Sequence, residues 1–313
     1  MKKFIITIDT EGDNLWNWKE GRAITTQNVY YLSRFQELCN KFHFKPVYLS
    51  NWEMLHNKDF IVFMKETLKE KACELGMHLH AWNTPPIVEL PIWEKSGHPY
   101  LIEYPLDIME AKIDSMTQLI RDQFGFTPVS HRAGRWAMND EYFKLLQKYG
   151  YKVDCSYTPG INWKSNRGQT QDFGGADYRE VNSSPGMIHG ILEVPVTIAN
   201  TKKFFMPSKL SVKKILKAFY FTVKGQNVWL RPDGYNLRAM EWLIDRISAS
   251  GTDYLMFMLH SSELMPGGSP IFQTEKDIDE LYLHMETIFE KINQDYVGTT
   301  LQEYYTDMQG HFV

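Results

Sequence analysis

The amino-acid sequence predicts an α/β protein that folds as a (β/α) barrel in a single domain. Short apolar or β-branched runs recur along the 313 residues, and helix-like segments lie between most of them. Strands that alternate with helices are typical of a parallel sheet, and about eight such strands can close a barrel. With 43% apolar residues, the chain can also bury one large core, which favours a single catalytic domain over residues 1–313.

The predicted elements alternate along most of the chain. Strands are expected in eight runs: FIITID (4–9), KPVYLS (45–50), LGMHLHAW (75–82), TPVSHR (127–132), YKVDCSY (151–157), ILEVPVTIA (191–199), NVWLRP (227–232) and YLMFMLH (254–260). Helices are expected at 28–42, 59–75, 107–124, 140–150, 237–247 and 275–292.

Two connections, 83–105 and 158–190, are unusually long for plain links, and we expect both to shape a substrate mouth. The second connection, with the segment after it, could instead form a small insertion of about 158–225 that packs on the barrel.

Charge and composition argue against several classes of partner. The 34 basic and 38 acidic residues give a net charge of -4, and no basic tract is present that would attract nucleic acid or an anionic bilayer. The first apolar run is short and is followed directly by Asp9 and Glu11, which indicates a strand rather than a signal peptide. The sequence contains no stretch of about 18 apolar residues, so no membrane-spanning helix is predicted. Three widely spaced cysteines, Cys39, Cys73 and Cys155, predict a reducing compartment, so a cytoplasmic protein is expected.

Polar side chains stand at the ends of most predicted strands. In strand order they are Asp9 and Glu11, His78 and His80, His131 and Arg132, Asp154 and Ser156, Arg231, and His260 followed by Glu263. In parallel β/α barrels the C-terminal strand ends open into one shared mouth, where reactive side chains gather. The sequence therefore predicts that these polar groups face one place.

Two pairs of these residues have the spacing of a shared strand face. Side chains two apart on a strand project to the same side, so Asp9 with Glu11, and His78 with His80, can each converge on one point. A carboxylate with two neutral imidazoles leaves open positions on a divalent ion such as zinc, as a catalytic site requires. The histidines are therefore predicted to be metal ligands.

Each of these predictions has a structural alternative. Asp9 and Glu11 could only cap the turn after the first strand, and a lone strand histidine is more often hydrogen-bonded than a metal ligand. Arg132 and Arg135, near Trp136, are almost as consistent with ion pairs as with a functional role.

The remaining candidates divide between core and mouth. His131 should face away from Arg132 and is expected to be structural, whereas His260 is either a core histidine or part of the mouth. Asp154 and Ser156 could simply finish a strand. Four tryptophans are expected to be shared between the core and the rim, where aromatic faces suit sugar rings: Trp82, Trp93, Trp136 and Trp163.

Five ordered motifs between residues 7 and 264 resemble those of the polysaccharide deacetylases, carbohydrate esterase family 4, particularly the branch associated with surface-polysaccharide and O-antigen synthesis. The motifs are TIDTEGD, MHLHAW, SHRAGRW, VDCSY and MLHSSE. The resemblance implies a distorted barrel that can have fewer than eight closed strands. It also implies a role for each matched residue: Asp9 as base, Glu11, His78 and His80 as metal ligands, Arg132 as the residue that orients the base, Trp136 in the groove and His260 as acid.

Two features depart from the family pattern. The histidines follow a His-x-His spacing where three residues usually separate them, and Glu11 stands where an aspartate is common, so Asp9 could itself bind the metal. The family is often exported; without a recognisable signal, the resemblance implies action on a nucleotide-linked or lipid-linked saccharide before export.

The sequence thus favours metal-dependent removal of an N-acetyl group from an amino sugar. One divalent ion, zinc above all, is the expected cofactor, and an N-acetylated saccharide is the expected partner. Candidate substrate contacts are Trp82, Trp93, Trp136, Arg135, Arg231 and Glu263. Two alternatives stay open: hydrolysis of another C–N amide such as a cyclic ureide, and a catalytically inactive saccharide-binding protein on the same fold.

Overall fold

The fold is built around a curled, mostly parallel sheet with helices on its outer face. The computed structural model describes residues 2–13, 15, 22–91, 98–170, 174–207 and 212–309. The strands within them are β1 (Lys2–Thr10), β2 (Pro46–Ser50), β3 (Glu74–Leu79), β4 (Ser130–Ala133), β5 (Val153–Asp154), β6 (Gly186–Ile188), β7 (Ile191–Glu193), β8 (Ile198–Thr201), β9 (Gln226–Trp229), β10 (Tyr254–His260) and β11 (Tyr296–Gly298). The helices are α1 (Leu32–Lys41), α2 (Lys58–Lys69), α3 (Leu106–Phe124), α4 (Asp140–Lys148), α5 (Val212–Lys224), α6 (Leu237–Ala249), α7 (Glu275–Ile292) and α8 (Leu301–Gln309).

Parallel pairing runs through the sheet in the order β10, β1, β2, β3, β4, β5, β7. β6 pairs antiparallel with β7 at one edge, and β11 pairs in parallel with the first residues of β1. The sheet curls into a half-barrel, which confirms the predicted α/β class and the incomplete (β/α) barrel. Its register places Asp9 beside His260 and His78 beside Arg132.

The prediction of a parallel barrel strand at NVWLRP is wrong. β9 pairs antiparallel with β8 in a separate two-stranded sheet. The predicted strand 191–199 is also interrupted, because Pro195 has no N–H with which to continue the ladder. Two backbone hydrogen bonds connect the chain after β7 to β10 through Leu230: Leu230 N–H to Thr197 O at 3.1 Å, and Met258 N–H to Leu230 O at 3.2 Å.

The two faces of the strands serve different cores. In β1, Phe4 and Ile6 pack in the large cluster beneath the helices, whereas Ile5 belongs to a smaller cluster inside the half-barrel. Because side chains two apart share a face, Thr7 and Asp9 continue the inner side towards the C-terminal end of the strand. The inner face therefore changes from apolar to polar along its length.

The six predicted helices are present with bounds that differ by up to six residues. Two of them begin at asparagines whose side chains accept backbone N–H groups, Asn57 for α2 and Asn139 for α4. The helices α5 and α8 and the strands β6 and β11 were not predicted; strands of three residues are too short to show a period. The sequence allows an insertion over the region of about 158–225. Within it β7 belongs to the main sheet, whereas β8 and α5 lie outside that sheet, as does β9, which follows α5.

Two further predictions concern the chain as a whole. In the part of the chain that the structure describes, no helix combines the length and apolarity needed to cross a bilayer. Cys39, Cys73 and Cys155 are free thiols in the buried interior.

Candidate active site

Polar side chains from four strands meet at the C-terminal end of the half-barrel. They are Asp9, Glu11, His78, His80, Arg132 and His260. Space for His80 depends on Gly134, because a Cβ atom there would lie 2.4 Å from the Leu79 carbonyl oxygen and 2.6 Å from the His80 ring. The close approach of β4 to β3 is thus part of how the site is built.

Glu11, His78 and His80 form a buried group whose ligand atoms all lie within 4.8 Å of one another. The Oε2 atom of Glu11 is 3.2 Å from His80 Nε2 and 3.5 Å from His78 Nε2. Burial alone would raise the pKa of Glu11, but the imidazoles of His78 and His80 beside it outweigh this effect and hold the pKa well below its usual value. Glu11 is therefore ionised at neutral pH.

The chemistry and spacing of this group fit a zinc ion. Two ligands of one tetrahedral zinc, each about 2.1 Å from it, stand roughly 3.4 Å apart. The Nδ1 atom of His78 lies 2.9 Å from the Arg132 carbonyl oxygen, to which it donates, so Nε2 keeps a lone pair for a metal. His80 Nδ1 has no hydrogen-bond partner among the described residues, and the ring is held by stacking on Trp82, with centroids 4.3 Å apart.

Asp9 lies beside the metal-ligand group but outside it, paired with a buried arginine. Arg132 Nη1 donates to Asp9 Oδ1 at 2.5 Å, and Nη2 donates to Thr7 Oγ1 at 2.8 Å. The guanidinium is fully buried. Burial alone would raise the pKa of Asp9, but the charge of Arg132, with smaller contributions from His78 and His260, keeps it below its usual value. Arg132 thereby fixes both the orientation and the ionised state of Asp9.

His260 faces both carboxylates from the neighbouring strand β10. Its Nε2 atom is 3.7 Å from Asp9 Oδ2 and 3.9 Å from Glu11 Oε1. On the other side of the ring, Nδ1 lies 3.3 Å from Glu263 Oε2, and the same carboxylate accepts the His260 backbone N–H. Arg231 Nη2 donates to Glu263 Oε1 at 2.9 Å and lies 3.0 Å from His260 Nδ1. Glu263 is fully buried, so it holds His260 and Arg231 from behind the cavity.

The Glu263 carboxylate is expected to make fold stability depend on pH. Burial alone would raise its pKa, but Arg231 and His260 lower it from 4.5 to about 2, a difference worth about 3 kcal/mol. A carboxyl group with a depressed pKa contributes this stability above about pH 4.5 and loses it as the pH falls towards 2. Glu263→Gln should therefore reduce the free energy of unfolding at pH 7 by about this amount, and the deficit should shrink in acid.

Urea unfolding of both proteins across this pH range tests the expectation. The matched control is Glu286→Gln, which removes an exposed ion pair with Lys41 and should change the free energy of unfolding by less than about 1 kcal/mol. A deficit for Glu263→Gln that stays constant from pH 7 down to pH 3 would contradict the assigned pKa shift.

The site opens into a cavity of about 490 Å³. Five further residues singled out in the sequence line it: Trp82, Arg135, Trp136, Trp163 and Arg231. Arg135 donates to the carbonyl oxygens of His98 and Arg167, so it joins two rim loops. Arg135 and Trp136 both have positive φ angles, 55° and 64°, which non-glycine residues adopt only when their surroundings impose it.

Some sequence candidates lie elsewhere. His131 faces the helices, where it contacts Asp154 at 2.6 Å and the Tyr142 hydroxyl at 2.7 Å. The Ser156 hydroxyl donates to Asp154 and accepts the Ala133 backbone N–H, so this cluster lies behind β4. Trp93 is outside the described residues.

The structure adds residues that the sequence did not identify. Asn28 donates to the Glu11 carbonyl oxygen at 2.7 Å and to the Ser261 hydroxyl at 2.8 Å, which fixes the backbone of the metal-ligand group. The Glu53 carboxylate accepts the Gly12 N–H at 3.0 Å. The residues in these contacts are not neighbours in the sequence, so no local sequence pattern predicts that they meet.

Comparisons with known proteins place this geometry in a known fold. No protein-family model and no curated protein sequence matches the chain. A protein from Mycobacterium smegmatis assigned as a polysaccharide deacetylase has a similar structure, with a TM-score of 0.55, 13% identity, and coverage of 100% of this chain and 92% of that one. A protein from Parabacteroides distasonis assigned as a glycoside hydrolase or deacetylase gives a TM-score of 0.59 at 9% identity, over 99% of this chain and 71% of the other.

The chain has the (β/α) barrel fold of the carbohydrate deacetylases. A branching enzyme of glycoside hydrolase family 57 from Thermococcus kodakaraensis is also similar, with a TM-score of 0.56 at 10% identity, over 98% of this chain and 71% of the other. The fold is thus shared by proteins with different reactions, so the choice between reactions depends on the side chains at the mouth.

Proposed function

We propose that the protein is a zinc-dependent hydrolase that removes an N-acetyl group from an amino sugar in a saccharide. The observation that carries the proposal is the grouping of Glu11, His78 and His80 beside two residues able to move protons, Asp9 and His260. A divalent ion held by the first three would polarise the acyl oxygen and lower the pKa of a water molecule. Amide hydrolysis also needs a base for the water and an acid for the nitrogen, because an unprotonated amine leaves poorly.

Asp9 is the proposed base. Arg132 occupies its Oδ1 atom, which leaves Oδ2 to accept the proton of the attacking water on the cavity side. The lowered pKa keeps Asp9 ionised at neutral pH, as a base must be. Because Arg132 donates to two other acceptors as well, it holds this carboxylate in one orientation.

His260 is the proposed acid. Its Nε2 atom faces the two carboxylates across the cavity, in a position to protonate the departing amine. Glu263 contacts the ring at Nδ1 and accepts the His260 backbone N–H, which holds the imidazole with Nε2 towards the cavity. Asp9 and His260 thus divide the roles of base and acid across one cavity.

Aromatic side chains around the cavity support a saccharide substrate. A second groove of about 420 Å³ shares Trp136, Trp163 and Arg231 with the catalytic cavity and adds Trp229. Aromatic faces pack well on the apolar faces of sugar rings. Trp82 also lines the catalytic cavity, where its ring stacks between those of His80 and His98. A saccharide longer than one sugar unit fits this extended surface.

Other reactions fit the site less well. Glycoside-bond chemistry uses two carboxyl groups on either side of the scissile bond. Here the Glu11 carboxylate contacts two imidazoles and Asp9 is bound to Arg132, an arrangement that favours metal-assisted hydrolysis. Hydrolysis of a cyclic ureide would use the same groups without the tryptophan-lined groove. An inactive binding protein would have no need for the complete set of ligands, base and acid.

The biological setting is part of the proposal. Buried free thiols are typical of a reducing compartment, which supports a cytoplasmic location. We therefore place the reaction on a precursor of a surface polysaccharide or O-antigen before its export.

Release of acetate tests the proposed reaction directly. The zinc-loaded protein is incubated with N-acetylated amino-sugar oligosaccharides, and free acetate and new primary amine are measured together. Equal amounts of both are expected, and none after removal of zinc with a chelator. Hydrolysis of a cyclic ureide without acetate release, or saccharide binding without either product, would replace the proposal with one of its alternatives.

A further inference from the structure

The helix α5 presents an apolar face to solvent. It lies between β8 and β9, outside the half-barrel. Ile215, Leu216, Phe219, Tyr220 and Val223 recur at the spacing of one helix side, and their exposed fractions run from 36% to 69%. A helix whose only role was to cover the barrel would turn these side chains inward.

This exposure is concentrated in one segment. Half of the large hydrophobic side chains that are exposed in the described part of the chain fall within residues 204–223, where Phe204 and Met206 join the five from α5. The Phe204 and Phe219 rings lie 6.2 Å apart, so the segment before the helix extends the same surface. Contiguous exposed apolar surface of this kind marks an interaction site. We call residues 201–226 the α5 segment.

The α5 segment also has an unusual charge. Its sequence contains seven lysines, including two adjacent pairs, and no acidic residue: Lys202, Lys203, Lys209, Lys213, Lys214, Lys217 and Lys224. It holds seven of the 34 basic residues and none of the 38 acidic ones, so the rest of the chain carries a net charge of -11. A negative surface would therefore attract this segment and repel the remainder.

We propose that the α5 segment docks the protein on an anionic phospholipid membrane, with α5 lying in the plane of the interface. A basic helix with Phe and Leu on its apolar face is the kind that inserts shallowly among lipid headgroups. A second copy of the chain fits less well, because a symmetric contact would bring both sets of seven lysines together. The sequence has no long basic tract that would attract an anionic bilayer by charge alone, so the exposed apolar face of α5 is needed as a second contribution to binding.

The position of the segment relates docking to the substrate. α5 is followed directly by β9, which ends at Trp229, and Arg231 then lines the catalytic cavity. The groove along β9 thus runs from the base of α5 to the mouth. Resting on the proposed function, this arrangement identifies the substrate class as an amino sugar attached to a membrane lipid.

Vesicle flotation of the full-length protein tests the docking. The protein is mixed with phosphatidylcholine vesicles that do or do not contain phosphatidylglycerol, and the bound fraction is measured at low and high salt. Binding is expected only to the anionic vesicles, and it should weaken with salt. Leu216→Ser with Phe219→Ser should reduce it by at least about tenfold, and Lys202→Glu with Lys203→Glu should reduce it while leaving the apolar face intact.

Matched controls are Val62→Ser on α2 and Leu283→Ser on α7, which remove exposed apolar side chains outside the segment and should not change binding. Light scattering shows whether the native chain is a dimer that Leu216→Ser with Phe219→Ser dissociates. Such a dimer, or equal binding by native and variant proteins, would overturn the proposal. Acetate release from a soluble oligosaccharide should be the same in all variants, so loss of docking and loss of catalysis are separate outcomes.

Discussion

Asp9→Asn is expected to lower turnover by about 10²–10⁴-fold while zinc stays bound. The amide cannot take the proton of the attacking water, and general base catalysis is worth about this factor. Zinc should remain because Asp9 lies outside the group formed by Glu11, His78 and His80. Acetate release and elemental mass spectrometry on the same preparation measure the two quantities.

Asp9→Asn should also destabilise the fold, since it leaves the buried Arg132 guanidinium without its carboxylate. Glu74→Gln is the matched control, because it removes a buried carboxyl group at the opposite end of the barrel, where Glu74 accepts the Gln302 N–H. It should keep turnover despite some loss of stability. Full activity of Asp9→Asn would remove Asp9 from the role of base, and loss of zinc would make it a ligand.

His78→Ala and His80→Ala are each expected to weaken zinc binding by more than about 100-fold. Loss of residues that merely support ligands typically costs about 10–100-fold, and these two side chains are the ligands themselves in the proposal. Because bound metal stabilises the folded state, zinc should raise the melting temperature of the native protein and not that of either variant.

Zinc titration followed by calorimetry or fluorescence gives the affinities. His98→Ala is the matched control, because His98 lines the same cavity outside the ligand group and should leave zinc affinity unchanged. Zinc affinity that survives both ligand substitutions would mean that these histidines serve as hydrogen-bonded structural residues.

The grouping of Glu11, His78 and His80 could be predicted from the sequence because its members follow local rules. His78 and His80 share one side of a strand through the two-residue period, and Asp9 and Glu11 do the same. Parallel pairing then brings the C-terminal ends of the strands to one edge of the sheet, independently of the conformations of the loops.

The rest of the site depends on contacts that no local pattern contains. Asn28 joins Glu11 to Ser261 only once β1 and β10 have paired, and Glu53 reaches Gly12 only once β1 and β2 have paired. The expected strand carrying Arg231 was misplaced because its apolar residues suit an outer ribbon as well as a barrel. The only local sign that β7 and β8 are separate strands is Pro195 between them. A proline is tolerated in an edge strand, so its presence alone does not predict a break.

The parallel register of the sheet determines which parts of the sequence can be exchanged while the reacting groups stay in place. Asp9 and His260 are paired residues of adjacent strands, and so are His78 and Arg132. Their separations are therefore set by the fixed spacing of hydrogen-bonded strands, whereas the tryptophans of the groove stand on connections or on the separate β8–β9 ribbon. Reaction and recognition are thus encoded in separate parts of the chain. New saccharide preferences can be built by exchanging the loop around Trp163 and the β8–β9 ribbon, with the reacting groups left in register.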